Sequence, residues 1–341
     1  MTTKLREHWI DNLKAICIIC VYIAHCESFY LHGSNIATFI VTPFYVNAFF
    51  FISGYLLIKK YFKENHIKNY SIKREYKNDL KNVLFRITIP TIIFSAIIYI
   101  PKHSGIFDLN SFIYKVLGGI SLWFTSALCI SQLIIYTLLL SRRTNIWFYT
   151  VITFVIFLLT TFLGNVKSKS AMEYFPWFWQ TGFIYTFLML LGGVYYKHEN
   201  KINKFLNNVT TIIVMLICYS TILYFVWNGT KMYCLGLSGK SNILGYIVTI
   251  LSILILIYFS KLFSSNKVTQ FIGKQSIVFY FLSGAIPSTI KPLINKIPLE
   301  NSYIVLISYI LLSLTISYIA THIIVRYFPF LLDLRNRKKQ K

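Results

Sequence analysis

Residues 9–25 read Trp-Ile-Asp-Asn-Leu-Lys-Ala-Ile-Cys-Ile-Ile-Cys-Val-Tyr-Ile-Ala-His. All but Trp9 lie in an apolar stretch, 10–29, that is long enough to cross about 30 Å of hydrocarbon as a helix. The run nevertheless contains three ionisable side chains, Asp11, Lys14 and His25. Because such side chains are costly in a membrane span and are usually functional, the run predicts both a transmembrane helix and a functional site on it.

Helical register places these three side chains on one face. At about 100° per residue, the eleven steps from Lys14 to His25 bring His25 back to within roughly 20° of Lys14, about 16 Å further along the axis. Asp11 precedes Lys14 by three residues and lies on the same face. Histidine can take up and return a proton near neutral pH, so we interpret this face as one wall of an active site. Two structural alternatives stay open: His25 could serve helix packing alone, and Asp11 and Lys14 could pair only to fix the helix end.

The composition excludes a soluble protein. Of the 341 residues, 56% are hydrophobic and only 13% are charged. A chain of this composition is too apolar to fold around one soluble core, and its length is too great for a single membrane anchor. The sequence therefore predicts an all-α, multi-pass membrane protein with about ten transmembrane helices. The candidate stretches are 10–29, 36–58, 87–101, 121–140, 146–164, 177–196, 209–228, 243–260, 271–290 and 302–325.

The formal net charge of +23 is explained by membrane topology. If the N-terminus is cytoplasmic, 25 of the 34 Lys and Arg residues fall in inside segments and 8 fall outside. This is the positive-inside rule with both termini in the cytoplasm, so no nucleic acid partner is needed. The same basic surface suits an anionic lipid leaflet or an anionic cytoplasmic cofactor. Neither the basic loop 59–86 nor the tail 326–341 can bury a core of its own, so we expect one transmembrane domain, 1–341.

Two local patterns imitate other classes of protein. Lys4 and Arg6 before an apolar run resemble a secretory signal peptide, but charged residues interrupt that run and further spans follow it. Cys17-x-x-Cys20 has the spacing of a zinc or redox motif, but no second cysteine or histidine pair lies nearby. We interpret both cysteines as small buried apolar residues and expect no metal.

A few polar and aromatic residues are candidates for contact with a substrate. Glu27 could orient the His25 imidazole or bind a sugar hydroxyl, or it could be solvated at the helix end. Trp123 lies near a predicted outside end, where it could anchor in the membrane interface or stack on a sugar ring. Asn47 and Ser53 are predicted to make contacts between helices.

The basic residues of loop 59–86 also have two interpretations. The loop could be solvated and face lipid headgroups. Alternatively, it could clamp the phosphates of a nucleotide-like cofactor, because arginine offers a forked donor and lysine a point charge. The residues in question are Lys73, Arg74, Lys81 and Arg86.

Five segments of the chain are similar to segments that occur in the same order in a known protein family. They are the run 9–25, Phe49-Phe-Phe-Ile-Ser-Gly-Tyr-Leu56, Arg86-Ile-Thr-Ile-Pro90, Leu122-Trp-Phe-Thr-Ser-Ala-Leu128 and Phe271-Ile-Gly-Lys-Gln-Ser-Ile-Val-Phe-Tyr280. Together they resemble the membrane acyltransferase 3 family, which includes bacterial sugar and polysaccharide O-acetyltransferases. The resemblance runs over nearly the whole chain.

The resemblance implies that His25 is the catalytic histidine and that acetyl-CoA is the acyl donor. It also implies a sugar or cell-envelope glycan as the acceptor and a multi-pass location in the bacterial cytoplasmic membrane. Lys14 stands where many members have arginine, which keeps the positive charge but not the bidentate geometry. Ser283 stands where related chains often have a histidine.

The basic motif before the third predicted span also departs from the family. Arg86 matches the second arginine of an Arg-x-x-Arg pattern, and Val83 occupies the position of the first. Lys81, or the earlier pair Lys73 and Arg74, would then supply the missing positive charge for the cofactor.

These observations predict a membrane O-acetyltransferase. Acetyl-CoA would enter from the cytoplasm, with its phosphates near Lys14 and the basic loop, and its acyl end would reach His25. The histidine would act as a base or as a transient acyl acceptor. One alternative is a transporter or flippase of a lipid-linked glycan, which predicts polar residues at mid-membrane on several helices, whereas here they concentrate on the first. Another alternative is a non-catalytic scaffold, for which His25 would be dispensable.

Overall fold

The computed structural model describes residues 7–30, 36–64, 72–102, 107–141, 145–166, 177–228, 243–264, 266–294 and 302–335. Within these ranges the chain is helical and contains no strand, which confirms the predicted all-α class. In chain order the α-helices are α1 (His8–Tyr30), α2 (Ile36–Val41), α3 (Asn47–Glu64), α4 (Ile72–Val83), α5 (Ile89–Lys102), α6 (Leu109–Phe112), α7 (Trp123–Leu139), α8 (Ile146–Val166), α9 (Trp179–Lys197), α10 (Glu199–Leu206), α11 (Val209–Trp227), α12 (Ile243–Leu262), α13 (Lys267–Lys274), α14 (Ser276–Ser283), α15 (Ala285–Ile294) and α16 (Ser302–Tyr327).

The helices form two compact units, and each unit is built from separate parts of the chain. Unit 1 comprises Met1–Phe49, Asn203–Met232 and Leu244–Arg326. Unit 2 comprises Phe50–Ile202, Tyr233–Ile243 and Tyr327–Lys341.

Unit 1 is organised around α1. This helix packs against α2 and against the three short helices α13, α14 and α15. Near its C-terminal end a buried apolar cluster joins α1 to α15 and α16, and close van der Waals packing within it stabilises the helix contacts. The cluster consists of Cys26, Ile290, Ile294, Val305, Leu306 and Tyr309.

Unit 2 is held by α9, which packs against both α7 and α8, and by α3, whose backbone touches that of α9. Gly54 of α3 faces the Met189 carbonyl, and Gly192 of α9 faces the Phe51 carbonyl, so closely that a Cβ on either glycine would overlap it. Next to this contact the ring of Phe50 stacks on Tyr185, with centroids 3.7 Å apart. Small residues permit such close approach of two helices in a membrane.

Five of the described helical segments are long and apolar enough to cross a membrane, or six if the bent pair α14 and α15, with 47° between its axes, forms one span. The chain is therefore a multi-pass membrane protein by composition and length. Helices occur at each of the ten predicted stretches, while the number of ten crossings and the cytoplasmic location of the termini stay predictions. The five are His8–Tyr30, Tyr76–Tyr99, Val209–Trp227, Leu244–Leu262 and Tyr303–Tyr327.

Two predicted spans are not single helices. The stretch 36–58 is broken by a turn between α2 and α3, because Pro43 lacks an N–H group and restricts the residue before it. The Asn47 side chain donates to the Pro43 carbonyl at 2.8 Å and completes this turn, so at least one contact of Asn47 is local rather than between distant helices. The stretch 271–290 is divided among α13, α14 and α15.

The basic segment 59–86 is not simply a loop. Helix α3 extends to Glu64, and α4 occupies Ile72–Val83 with polar and apolar residues on opposite faces. A π-helical turn, Leu84–Thr88, then leads into α5. Apolar residues recur at helical spacing among the charged residues of this segment, which is the pattern of an amphipathic helix. The high charge of the segment alone favours a loop.

Candidate active site

His25 lies on α1, which is uninterrupted from His8 to Tyr30. Asp11, Lys14 and His25 therefore occupy one helix, as the sequence predicted. The His25 side chain is half-buried, and its ring is nearly parallel to that of Phe29 on the next turn, with centroids 6.2 Å apart. Lys14 is also half-buried, whereas Asp11 is buried.

The first turn of α1 is fixed by two neighbouring elements of unit 1. A Cβ on Gly273 of α13 would overlap the backbone of Asp11, so α13 lies directly against this turn. The side chain of Asn12 donates to the carbonyl oxygens of Ser260, at 3.2 Å, and Phe263, at 2.8 Å. These carbonyls belong to the last turn of α12 and the residue after it, where helical partners are lacking. Sequence reasoning assigned no role to Asn12, although an amide within an apolar run was a visible signal.

The middle of α1 is fixed by a buried hydrogen-bonded group. The Tyr22 hydroxyl lies 2.6 Å from Ser317 Oγ and 3.1 Å from the Phe279 carbonyl oxygen. Ser317 in turn donates to the Ser313 carbonyl at 2.7 Å. Since buried polar groups need partners in an apolar environment, these contacts specify one rotational setting of α1, and hence the direction of His25.

Glu27 is buried and accepts hydrogen bonds from the chain itself. Its Oε1 accepts from the backbone N–H of Ala37 at 3.0 Å, and its Oε2 accepts from Thr38 at 2.6 Å. A carboxylate at the first turn of a helix satisfies amides that have no helical partner. These contacts give Glu27 a structural task at the start of α2, and its predicted contact with a substrate stays a prediction.

We expect Glu27→Ala to lower the free energy of unfolding by about 1–3 kcal/mol, because two backbone N–H groups lose a charged acceptor. Denaturation of the purified protein in detergent measures this change. Ser28→Ala is the matched control. Ser28 follows Glu27 and is exposed, so the loss of its hydroxyl should change the free energy of unfolding by less than about 0.5 kcal/mol. Unchanged stability together with lost acceptor binding would instead support the substrate role.

Arg86, predicted to bind the cofactor, lies in the π-helical turn and pairs with the C-terminal segment. Its Nε is 3.0 Å from Asp333 Oδ2. Arg335 holds the same carboxylate from the other side, with its Nε 2.8 Å from Oδ1 and its terminal nitrogen 2.7 Å from Oδ2. Arg335 also donates to Asn82 at 3.1 Å. This pairing joins residues 247 positions apart, so spacing in the sequence could not show it.

We expect the ion pairs of Asp333 with Arg86 and Arg335 to persist at mildly acidic pH and to break only near pH 2. Hydrogen bonds from Arg335 and Arg86 hold the pKa of Asp333 at about 2, below its ordinary value of 3.8. A lowered pKa means that the contribution of the ionised carboxylate to stability is complete above about pH 4 and is lost as the pH falls towards 2. Hydrogen exchange of the amides in 328–335 should therefore be slower in the wild type than in Asp333→Asn at pH 5, and the difference should vanish near pH 2. A difference that already disappears at pH 5 would contradict the ion pair.

The other predicted basic residues all belong to α4. Lys81 is exposed in its last turn, and Lys73 and Arg74 lie in its first turn with side chains outside the described part of the structure. Arg86, Lys81 and Trp123 belong to unit 2, whereas Asp11, Lys14 and His25 belong to unit 1.

Trp123 begins α7 and is half-buried among aromatic residues. Its ring lies 6.2 Å from Phe178 and 6.4 Å from Phe124, between centroids. Trp177 and Phe178 adopt positive φ angles of 59° and 50°, which are uncommon for bulky residues and often occur at functional sites. The Trp177 N–H donates to the Gly118 carbonyl at 2.7 Å and secures this strained turn. Nothing in the sequence indicated the strain, because it depends on contacts between distant segments.

Cys17 and Cys20 are both buried free cysteines on α1. Among the described residues, no group of three or more His, Cys, Asp or Glu side chains is placed to hold a metal ion. Cys234 lies outside the described residues.

Comparison with known proteins agrees with the ordered motifs along the chain. The family model described as "Acyltransferase domain" matches residues 7–322, nearly the whole chain. The chain belongs to the acyltransferase 3 family. No curated protein and no solved structure matches it. The α1 residues Asp11, Lys14 and His25 all lie within the matched region of this membrane acyltransferase, as does Arg86, whereas Asp333 and Arg335 lie beyond it.

Proposed function

We propose that this membrane acyltransferase transfers an acetyl group from acetyl-CoA to a hydroxyl group of a sugar or cell-envelope glycan, in the bacterial cytoplasmic membrane. The observation that carries the proposal is His25, a half-buried histidine on a helix long and apolar enough to span the membrane, in a chain of the acyltransferase 3 family. An ionisable group at such a position is costly and is usually retained for function.

In this mechanism His25 removes the proton from the acceptor hydroxyl as its oxygen attacks the thioester carbonyl. The carbon–sulfur bond then breaks, the departing sulfur receives the proton from the imidazolium, and an acetyl ester remains on the sugar. In the second route the imidazole itself attacks the thioester, the carbon–sulfur bond breaks, and CoA leaves as a thiol with the imidazole proton. The acceptor hydroxyl then attacks the acetyl-imidazole, the carbon–nitrogen bond breaks, and the imidazole nitrogen takes the hydroxyl proton. Lys14, on the same helix about 16 Å from His25 along its axis, offers a positive charge to the donor phosphates.

The direct test uses the full chain reconstituted in lipid vesicles with acetyl-CoA labelled in the acetyl group. Label should pass to a glycan acceptor from a panel of sugars and cell-envelope polysaccharides. Label that stays on the protein when no acceptor is present would identify the acetyl-histidine route. If the protein consumes no acetyl-CoA with any acceptor of the panel, the proposal is overturned.

A further inference from the structure

Unit 2 contains a cleft of about 570 Å³ where α9 ends and α10 begins. Its walls are Phe62 of α3 and the continuous run 196–201. None of these residues was a candidate for the site discussed above. The volume lies in the range of sites that enclose small organic ligands.

The surroundings of the cleft are mainly cationic. Lys197 and Lys201 line it and are exposed, and Lys59 stands beside it, with Nζ 5.9 Å from the centroid of the Tyr196 ring. Among the lining residues, Glu199 is the only acidic one, and its Oε2 accepts a 2.8 Å hydrogen bond from Tyr55. Three ammonium groups beside one carboxylate favour an anionic ligand.

The start of α10 favours the same kind of ligand. Helix α10 begins at Glu199, so the amides of its first turn have no acceptor within the helix and can donate to an anion at the cleft. Helix α9 ends at the same cleft, and Lys197 in its last turn offsets the negative end of that helix dipole. His198, between the two helices, also lines the cleft.

The apolar part of the cleft indicates what the anion is attached to. The rings of Phe62 and Tyr196 form part of the wall, and Lys197 Nζ lies 5.1 Å from the centroid of the Phe62 ring. A bare inorganic ion would engage the lysines and make no apolar contact with these rings. A phosphate ester has a charged group for the lysines and an organic body for the rings.

We propose that this cleft binds a phosphate ester, with its phosphate held by Lys197 and Lys201 and its organic part against Phe62 and Tyr196. Two sources present this chemistry, the nucleoside phosphate end of an acyl-CoA and the headgroup of an anionic phospholipid. Only the first source rests on the proposed function.

The test measures equilibrium binding of adenosine 3′,5′-bisphosphate, which carries no acyl group, to the full chain in neutral detergent. A parallel arm measures how much phosphatidylglycerol the purified protein retains from mixed vesicles. We expect Lys197→Ala combined with Lys201→Ala to weaken one of the two by about tenfold or more, since each charged contact contributes to the affinity. The arm that responds identifies the source.

Lys204→Ala is the matched control, because Lys204 lies on the same helix, is exposed and does not line the cleft. If both ligands bind the double variant as they bind the wild type, the site does not exist. If the double variant unfolds, the single changes Lys197→Gln and Lys201→Gln, which remove the charge but keep a polar side chain, decide the question in the same two assays. Lysine-dependent binding in a protein that transfers no acetyl group would overturn the proposed function and leave the cleft site standing.

Discussion

His25→Ala should reduce acetyl transfer by at least about a hundredfold, with the protein still folded. Removal of a general base or a nucleophile typically costs a factor of about 10² to 10⁴, and a half-buried position on α1 leaves room for alanine without a large packing loss. The measurement is the initial rate of label transfer by the reconstituted protein, together with its thermal unfolding midpoint in detergent.

His8→Ala is the matched control for this change. His8 lies at the start of the same helix, and its side chain is exposed, so the rate should stay near that of the wild type. Equal rates for wild type and His25→Ala would reject the catalytic role and favour a histidine that serves packing alone. A parallel fall in rate and unfolding midpoint would also point to packing.

Gly54→Ala and Gly192→Ala should each destabilise the protein by about 1–3 kcal/mol or more. A methyl group at either position would enter the space of a backbone carbonyl on the facing helix, that of Met189 or Phe51. Backbone atoms cannot rotate away as a long side chain can, so α3 and α9 must separate and lose contacts. Separation would also disturb the stacked rings of Phe50 and Tyr185.

The loss should appear as a lower unfolding midpoint in detergent, and the two substitutions together should cost less than their sum because either one already separates the helices. Leu56→Phe adds atoms to α3 at an exposed position and should leave the midpoint nearly unchanged. A wild-type midpoint for Gly54→Ala would show that the two helices do not touch through their backbones.

Much of the fold was predictable from local patterns. The apolar stretch 10–29 became α1, His8–Tyr30, because apolar length and backbone hydrogen bonding are properties of the segment itself. The stretch 36–58 is two helices and not one, because Pro43 interrupts an otherwise apolar run. The segment 59–86 contains the amphipathic helix α4 and not a loop alone, because apolar residues recur at helical spacing among its charged residues.

The site was predictable only in part. His25 and Lys14 stand out because ionisable residues are rare in apolar runs, and the family match includes both. The partners of Glu27 and Arg86 were not predictable, because each acceptor or donor is chosen by how the chain packs. Arg86 meets Asp333 only after the C-terminal segment returns to α4 and the π-helical turn.

The sequence by itself determined that the chain enters a membrane as helices and that Asp11, Lys14 and His25 share the first of them. Both facts follow from the transfer of apolar side chains out of water and from hydrogen bonds within one helix, which depend on near neighbours alone. Only the tertiary structure decided which polar groups have internal partners, how closely α3 approaches α9, and that lysines and aromatic rings enclose a cleft beside α10. These features depend on contacts between residues far apart in the chain, and packing of the whole unit sets their geometry.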